Sequence, residues 1–288
     1  MRRFGLGFCA VLAAACGSAQ VSPPASPAGA APTVSAAGPS VATAPGTGIR
    51  ELSELAKELE AERVGGTIAL FDSKDGVLGC SDVALCQEAV IPASTFKIPH
   101  SMIALEAGIV EGPDSVLAWD HQTYSNDEWN QDLKFRDAFR SSCVPCYRAI
   151  AQKVGPAAEH DWVEKLGYGN RDTSGDVVFW LRGGLRISPV AQIDFLRRFD
   201  ADKLPISSRT ADIVRDIMTV DVTENYVLRG KTGSAEEPGE AYWFVGWLEL
   251  GERRVFFATL LTSYAPGIDP LKARRTVTER VLRSRGLL

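Results

Sequence analysis

Pro92-Ala93-Ser94-Thr95-Phe96-Lys97-Ile98-Pro99 sets a serine and a lysine three positions apart at the head of an apolar run. At i and i+3 of a helix two side chains share a face, with Cβ atoms roughly 5–6 Å apart. An amine so placed reaches the serine hydroxyl and can take its proton. Ser94 then stands at a helix N-terminus, where the peptide dipoles favour an alkoxide and a developing oxyanion. Ile98, Met102, Ile103 and Leu105 follow at spacings that bury this helix, and Lys97 with it. Burial disfavours an ammonium ion, so Lys97 is expected to be a base of lowered pKa. Pro99 cannot donate to the Thr95 carbonyl, which predicts an irregular first turn. The helix is expected to run to about Ala107 and stop at Gly108.

A strand-like segment, 226–233, ends in Lys231-Thr232-Gly233. In the same cleft it would supply a cation and a hydroxyl for a substrate carboxylate, and a small residue that permits close backbone approach. Ser142, in Ser142-Cys143-Val144, has a hydroxyl that could relay a proton between Lys97 and a leaving nitrogen, but taken alone this is an unremarkable loop. The Ser/Lys pair and the Lys-Thr-Gly strand are the equipment of serine acyl transfer without an imidazole. The three histidines, His100, His121 and His160, fall in no metal-binding or triad spacing and read as surface or core residues.

Outward from these landmarks, 49–62 reads as an amphipathic helix, stopped by Gly65-Gly66. A buried strand follows at 67–71, with a turn at 72–76. Helical patterns occupy 131–141, 143–154, 156–166, 189–200 and 208–219. Strands return at 241–250 and 253–263, joined at Gly251-Glu252, before a last arginine-rich helix at about 270–285. Strands at both ends with helices between predict an α+β fold: an antiparallel sheet flanked by N- and C-terminal helices, with a helical lobe inserted at about 111–220. Tyr124-Ser125-Asn126 reads as loop.

The chain has 288 residues, a net charge of −5 and 45% hydrophobic residues, enough for one large domain and without the basic stripe of a nucleic-acid binder. Arg2-Arg3 followed by an apolar stretch to Ala15 reads as an export signal, too short to span a bilayer. Cleavage after Ala19 is one reading. Leu12-Ala13-Ala14-Ala15-Cys16 as a lipoprotein signal, leaving Cys16 lipidated, is the preferred one, because an uncharged Ala/Pro/Ser/Gly tether over 16–48 follows it. The catalytic domain is then 49–288, in the periplasm or anchored to the outer membrane. Cys80 and Cys86 are placed to pair in an oxidising space. Cys143-Val144-Pro145-Cys146 reads as two small buried residues or a local disulfide, since no second C-x-x-C completes a metal site.

Ser94-Thr95-Phe96-Lys97, Ser142-Cys143-Val144-Pro145, Tyr168-Gly169-Asn170, Phe179-Trp180-Leu181, Leu185-Arg186-Ile187-Ser188 and Lys231-Thr232-Gly233 resemble, in order and spacing, the class D serine β-lactamases, the oxacillinases. The likeness spans about residues 60–288. It implies a β-lactamase/transpeptidase-like fold and hydrolysis of β-lactam amides, with no metal or organic cofactor beyond CO2 or bicarbonate. Ser94 is implied as nucleophile, its backbone N–H and that of Ser234 as oxyanion hole, and Lys97, carboxylated by CO2, as general base of both half-reactions. Phe96, Val144 and Trp180 are expected to keep the amine uncharged, and the Trp180 indole N–H to hold the carbamate. Ser142 is implied as the proton relay, and Lys231, Thr232 and Gly233 as the substrate-carboxylate site. An arginine near the start of the last helix completes that site: Arg274 is preferred, with Arg275 adjacent, and Arg280, Arg283 and Arg285 read as a solvated basic face. The alternatives are a β-lactam sensor that stays acylated, which usually hangs from several membrane-spanning helices, and a D,D-peptidase.

Overall fold

The computed structural model describes residues 48–236 and 239–288. The expectations for residues 1–47, including the export segment, Cys16 and nearly all of the tether, lie outside the described residues. From the N-terminal side the elements are β1 (Arg50–Glu51), α1 (Ser53–Ala61), β2 (Val64–Asp72), β3 (Val77–Cys80) and α2 (Val83–Gln87). A 3₁₀ turn, Ala93–Phe96, leads into α3 (Lys97–Glu106). Then come β4 (Val116–Leu117), β5 (Leu133–Lys134), α4 (Phe135–Arg140), α5 (Val144–Val154), α6 (Pro156–Leu166), α7 (Phe179–Arg182), α8 (Pro189–Asp200) and α9 (Ser208–Ile217). The chain closes with β6 (Thr219–Val222), β7 (Val227–Ala235), β8 (Ala241–Leu250), β9 (Arg253–Tyr264) and α10 (Pro270–Ser284).

Seven strands form one sheet in the order β1-β3-β2-β9-β8-β7-β6, antiparallel except for the short β1/β3 pair. Its central strands are buried on both faces, which explains their near-continuous apolar runs. On β8 and β9, Trp243, Val245, Trp247, Phe256, Ala258 and Leu260 face the helical side. Their alternates, Tyr242, Phe244, Leu248, Val255, Phe257 and Leu261, pack under α1 and α10 with Leu55, Leu59, Val277 and Val281. Each large apolar side chain buried this way contributes about 1.5–3 kcal/mol, so the sheet is the rigid plate on which the catalytic elements rest.

Several local expectations are corrected. Residues 50–51 are strand rather than helix, because Leu52 N–H donates to the Cys80 carbonyl and holds this segment beside β3. Gly65-Gly66 does not end an element: both lie inside β2, at a shift of register against β9. A Cβ on Gly66 would fall 2.1 Å from the Leu260 carbonyl oxygen, so the glycine allows the bulge rather than a stop. Residues 133–134 pair with 116–117 as strand before α4 begins. α2, β6 and α7 are elements whose shortness gave no periodic signal. Arg280, Arg283 and Arg285 are exposed, as expected of a solvated face, and Arg280 and Arg285 also pair with Glu58, Glu62 and Glu54 of and beside α1, Arg283 with Glu279. The Gly251 turn, the stop at Gly108 and the irregular entry to the Ser94 helix are as expected. Both cysteine pairs, Cys80–Cys86 and Cys143–Cys146, are disulfides.

Candidate active site

The Ser94 turn is fixed from three sides. Thr95 Oγ1 donates to the Pro92 carbonyl at 2.7 Å and receives Gln192 Nε2, from α8, at 2.8 Å. Tyr168 OH sits 3.3 Å from the same Thr95 oxygen and 3.2 Å from Gln192 Nε2. Burial pushes the Tyr168 phenol well up, so it remains a neutral hydrogen-bonding post. Trp243 Nε1, from the sheet, donates to the Ile91 carbonyl at 2.9 Å. Ala93, next to the serine, is held at φ 49°, a left-handed conformation that costs a residue with a Cβ about 1–3 kcal/mol. These bonds overdetermine that conformation.

Lys97 is completely buried, and its Nζ lies 3.0 Å from Ser94 Oγ. Desolvation pulls its pKa from 10.5 to about 7, which leaves a large fraction of neutral amine at physiological pH. The surroundings are an aromatic cluster. Nζ is 5.0 Å from the centre of the Tyr147 ring, Phe96 stacks on Trp180 at 5.4 Å, and His100 meets Tyr147 and Trp180 at 5.4 and 4.9 Å. Tyr147 is itself neutral, its phenol pushed up by burial and hydrogen-bonded to Ser101, which donates to the Lys97 carbonyl. Trp180 Nε1 is buried and finds no hydrogen-bond partner among the described residues.

Ser142 stands just before α5 at φ 56°, and its Oγ is in short contact with Lys231 Nζ. Lys231 also reaches the Thr232 carbonyl at 3.1 Å. Burial, and then the nearby Lys97 and Arg274, hold the Lys231 pKa well below the usual lysine range. The site therefore carries two hydrogen-bonded pairs, Lys97 with Ser94 and Lys231 with Ser142, close enough that the charge of Lys97 acts on Lys231. Arg274 is 92% buried against β7; its Nη1 donates to the Gly233 carbonyl at 2.5 Å and its Nε to Leu271 O at 3.1 Å. Burial lowers its pKa to about 10, so it stays cationic. Arg275 pairs with Glu279 at 2.6 Å and lies on the wall of a cleft of about 630 Å³ that Lys231, Thr232 and Met218 also line.

β7 presents a free edge to the Ser94 turn. β6 pairs only with residues 227–229, and Gly230 N–H donates outward to the Met218 carbonyl at 2.8 Å. Strand backbone groups alternate sides, so Thr232 and Ser234 carry their N–H groups along the same edge, beyond the end of β6. Gly233 lets that edge approach: a Cβ there would meet the Pro92 oxygen at 2.9 Å and Thr95 N at 3.0 Å. Gly233→Ala should therefore push β7 back from the nucleophile and lower kcat/KM about 10–100-fold while the thermal midpoint moves little. Steady-state kinetics beside a melting curve checks this; an unchanged kcat/KM would show that the approach distance is immaterial.

The residues singled out from the sequence thus gather in one place, Val144 excepted in part: it opens α5 half-buried, and Tyr147, one turn on, is the side chain of that helix against the Lys97 amine. Tyr147 was missed because its apolar neighbours gave it no distinction from core. No group of His, Cys, Asp and Glu among the described residues could hold a metal ion.

A buried Ser/Lys pair facing a Lys-Thr-Gly segment beyond the end of β6 defines a serine acyl-transfer domain, and residues 68–283 match the penicillin binding protein transpeptidase domain family. Beta-lactamase OXA-48 of Klebsiella pneumoniae is 36% identical over 225 residues, 77% of this chain and 84% of its own. Beta-lactamase OXA-10 of Pseudomonas aeruginosa is 33% identical over 83% of this chain and 91% of its own. The crystal structure of the class D β-lactamase YbXI from Nostoc superposes with a TM-score of 0.78 at 38% identity, covering 81% of this chain and 99% of that one. The chain belongs to the class D β-lactamases.

Proposed function

We propose that the protein hydrolyses the amide of penicillin-type β-lactam rings through an ester on Ser94. The observation that carries this is the 3.0 Å contact between Ser94 Oγ and a fully buried lysine amine of lowered pKa. Lys97 takes the Ser94 proton as Oγ attacks the ring carbonyl, and the backbone N–H groups of Ser94 and Ser234 receive the oxyanion. Ser142, in contact with Lys231, delivers a proton to the departing ring nitrogen. Lys231, Thr232 and Arg274 hold the substrate carboxylate, the charge of Arg274 acting behind Gly233. The proton that Lys97 took from Ser94 replaces the one Ser142 gave up, which frees Lys97 to activate the water that releases the product; that water's proton returns to Ser94 as the ester breaks.

The residues fit a carboxylated Lys97. Only an uncharged amine adds CO2, and burial supplies one; the unpartnered Trp180 Nε1 is a donor suited to the resulting anion. The carbamate would supply an anionic proton acceptor in place of the amine.

Nitrocefin turnover by the purified protein, with and without bicarbonate, tests the reading. With the amine half-neutral near pH 7, only about a tenth is neutral at pH 6, so unsupplemented activity should fall about fivefold between them and bicarbonate should restore it. Indifference to bicarbonate and to acid would remove the carbamate from the mechanism. A burst of one equivalent without further turnover would instead mark a sensor or a D,D-peptidase.

We further propose export through the N-terminal segment, with Cys16 lipidated and the domain 49–288 tethered in the periplasm. Two disulfides support an oxidising compartment. Intact-mass measurement of membrane and soluble fractions tests this: an unmodified mature chain starting after Ala19 would exclude the anchor.

A further inference from the structure

His100 and Glu159 form a buried pair that the acyl-transfer chemistry does not use. His100 follows Lys97 by three positions and so lies on the same face of α3. Its ring meets Phe96, Tyr147 and Trp180 at centroid distances of 5.3, 5.4 and 4.9 Å, and no other ring among the described residues meets all three. Glu159, on α6, brings Oε1 to 2.8 Å from His100 Nε2. Both residues are shut off from solvent, at 0% and 2% exposure. The approach is bent away from an ideal hydrogen bond, and neither side chain has another polar partner among the described residues.

Two polar groups removed from water together are costly, and apolar residues of similar volume commonly give equal or better stability in such places. Stability alone therefore gives no account of the pair. What a polar contact adds over an apolar one is direction. Glu159 approaches the one ring that packs on Phe96, Tyr147 and Trp180 together, the last being the indole whose N–H is left unpaired.

We propose that the His100–Glu159 pair is a positioning device for the carboxylated form of Lys97. Glu159 orients the imidazole, the imidazole sets the plane of Trp180 against Phe96 and Tyr147, and the indole N–H is held ready to donate to the anion. His100 is thus a positioning residue, two contacts removed from the reacting atoms. This rests on the carbamate reading above and adds what determines how firmly CO2 is retained.

The test is carbon NMR of the full chain equilibrated with ¹³C-bicarbonate, which reads carbamate occupancy without substrate, alongside the bicarbonate concentration giving half-maximal nitrocefin turnover. Glu159→Leu and His100→Phe should each need about tenfold more bicarbonate for half-occupancy, the scale on which partners that orient a bound group act. Glu159→Gln, whose amide oxygen can still accept from Nε2–H, should keep the wild-type requirement. If a single variant folds poorly, the His100→Phe/Glu159→Leu double variant replaces both polar groups at once; it should fold by circular dichroism and show the same tenfold weakening. A folded double variant that fills with CO2 at the wild-type concentration overturns the proposal, as does a Glu159→Gln variant as weak as Glu159→Leu. Absence of any carbamate signal in the wild-type protein would remove the parent reading, and this one with it; a wild-type signal that the variants retain removes this one alone.

Discussion

Lys97→Ala should yield a protein that nitrocefin still acylates slowly at Ser94 but does not turn over, with kcat lower by about 10³–10⁴-fold. Ser94 would keep its place at the helix start and its oxyanion donors, so a strained ring can still react with it. The ester is less reactive and needs an activated water. Among the described residues Lys97 alone is hydrogen-bonded to the Ser94 hydroxyl: Ser142 and Lys231 face each other, Tyr147 is held neutral by burial, and the His100 ring is turned to Glu159. Mass spectrometry of the variant after mixing with substrate should find a persistent adduct on Ser94. Normal steady-state turnover would refute the base assignment.

The same lysine should weaken the fold. Its pKa is 10.5 in the unfolded chain and about 7 in the folded one, a difference that corresponds to roughly 5 kcal/mol. A lowered lysine pKa means that the unfolded chain binds the extra proton. The penalty is therefore full below about pH 7, fades as pH rises towards 10.5 and is absent above it. Lys97→Met, which fills the space without a charge, should accordingly melt higher than wild type at pH 6, by a margin that shrinks towards pH 10. Function has kept an amine where stability would prefer a thioether.

How much of this was legible beforehand depends on how local each relation is. The Ser94/Lys97 pair could be read because i and i+3 share a helix face whatever the tertiary context. The β8–β9 hairpin could be read because apolar runs of matching length flank Gly251. Lys231-Thr232-Gly233 could be placed on a strand, but not against Ser94: the approach depends on β6 stopping short and on a glycine facing Pro92, neither visible in a linear pattern. The Gly65-Gly66 error has the same origin, since a glycine pair signals a stop in an isolated chain and a bulge only when β9 lies alongside. His100 and Glu159 are 59 positions apart, each ordinary in its own helix, and become a pair only when α3 meets α6. Choosing between Arg274 and Arg275 is a question of helix register that no linear pattern fixes: the structure buries Arg274 against the Gly233 carbonyl and sets Arg275 on the cleft that Lys231 and Thr232 line.

Ser142 tests the second hydrogen-bonded pair of the site, and its backbone allows strain to be separated from chemistry. At φ 56° a residue with a Cβ is disfavoured by roughly 1–2 kcal/mol relative to glycine. Ser142→Gly should therefore be more stable than Ser142→Ala by about 1 kcal/mol. Both should lose turnover about 10²–10³-fold, because both remove the hydroxyl that passes a proton to the ring nitrogen. They should also differ from Lys97→Ala in kind. Without the relay the ring opens slowly, so no adduct accumulates and the burst disappears, whereas without Lys97 the adduct is formed and kept. Removing Ser142 also strips buried Lys231 of its closest partner, leaving the Thr232 carbonyl as its hydrogen-bond acceptor. Rapid-mixing kinetics with each variant decides the matter. A normal burst in Ser142→Gly would transfer the relay to another group, and Lys231, already held well below the usual lysine range, would be the group to replace next.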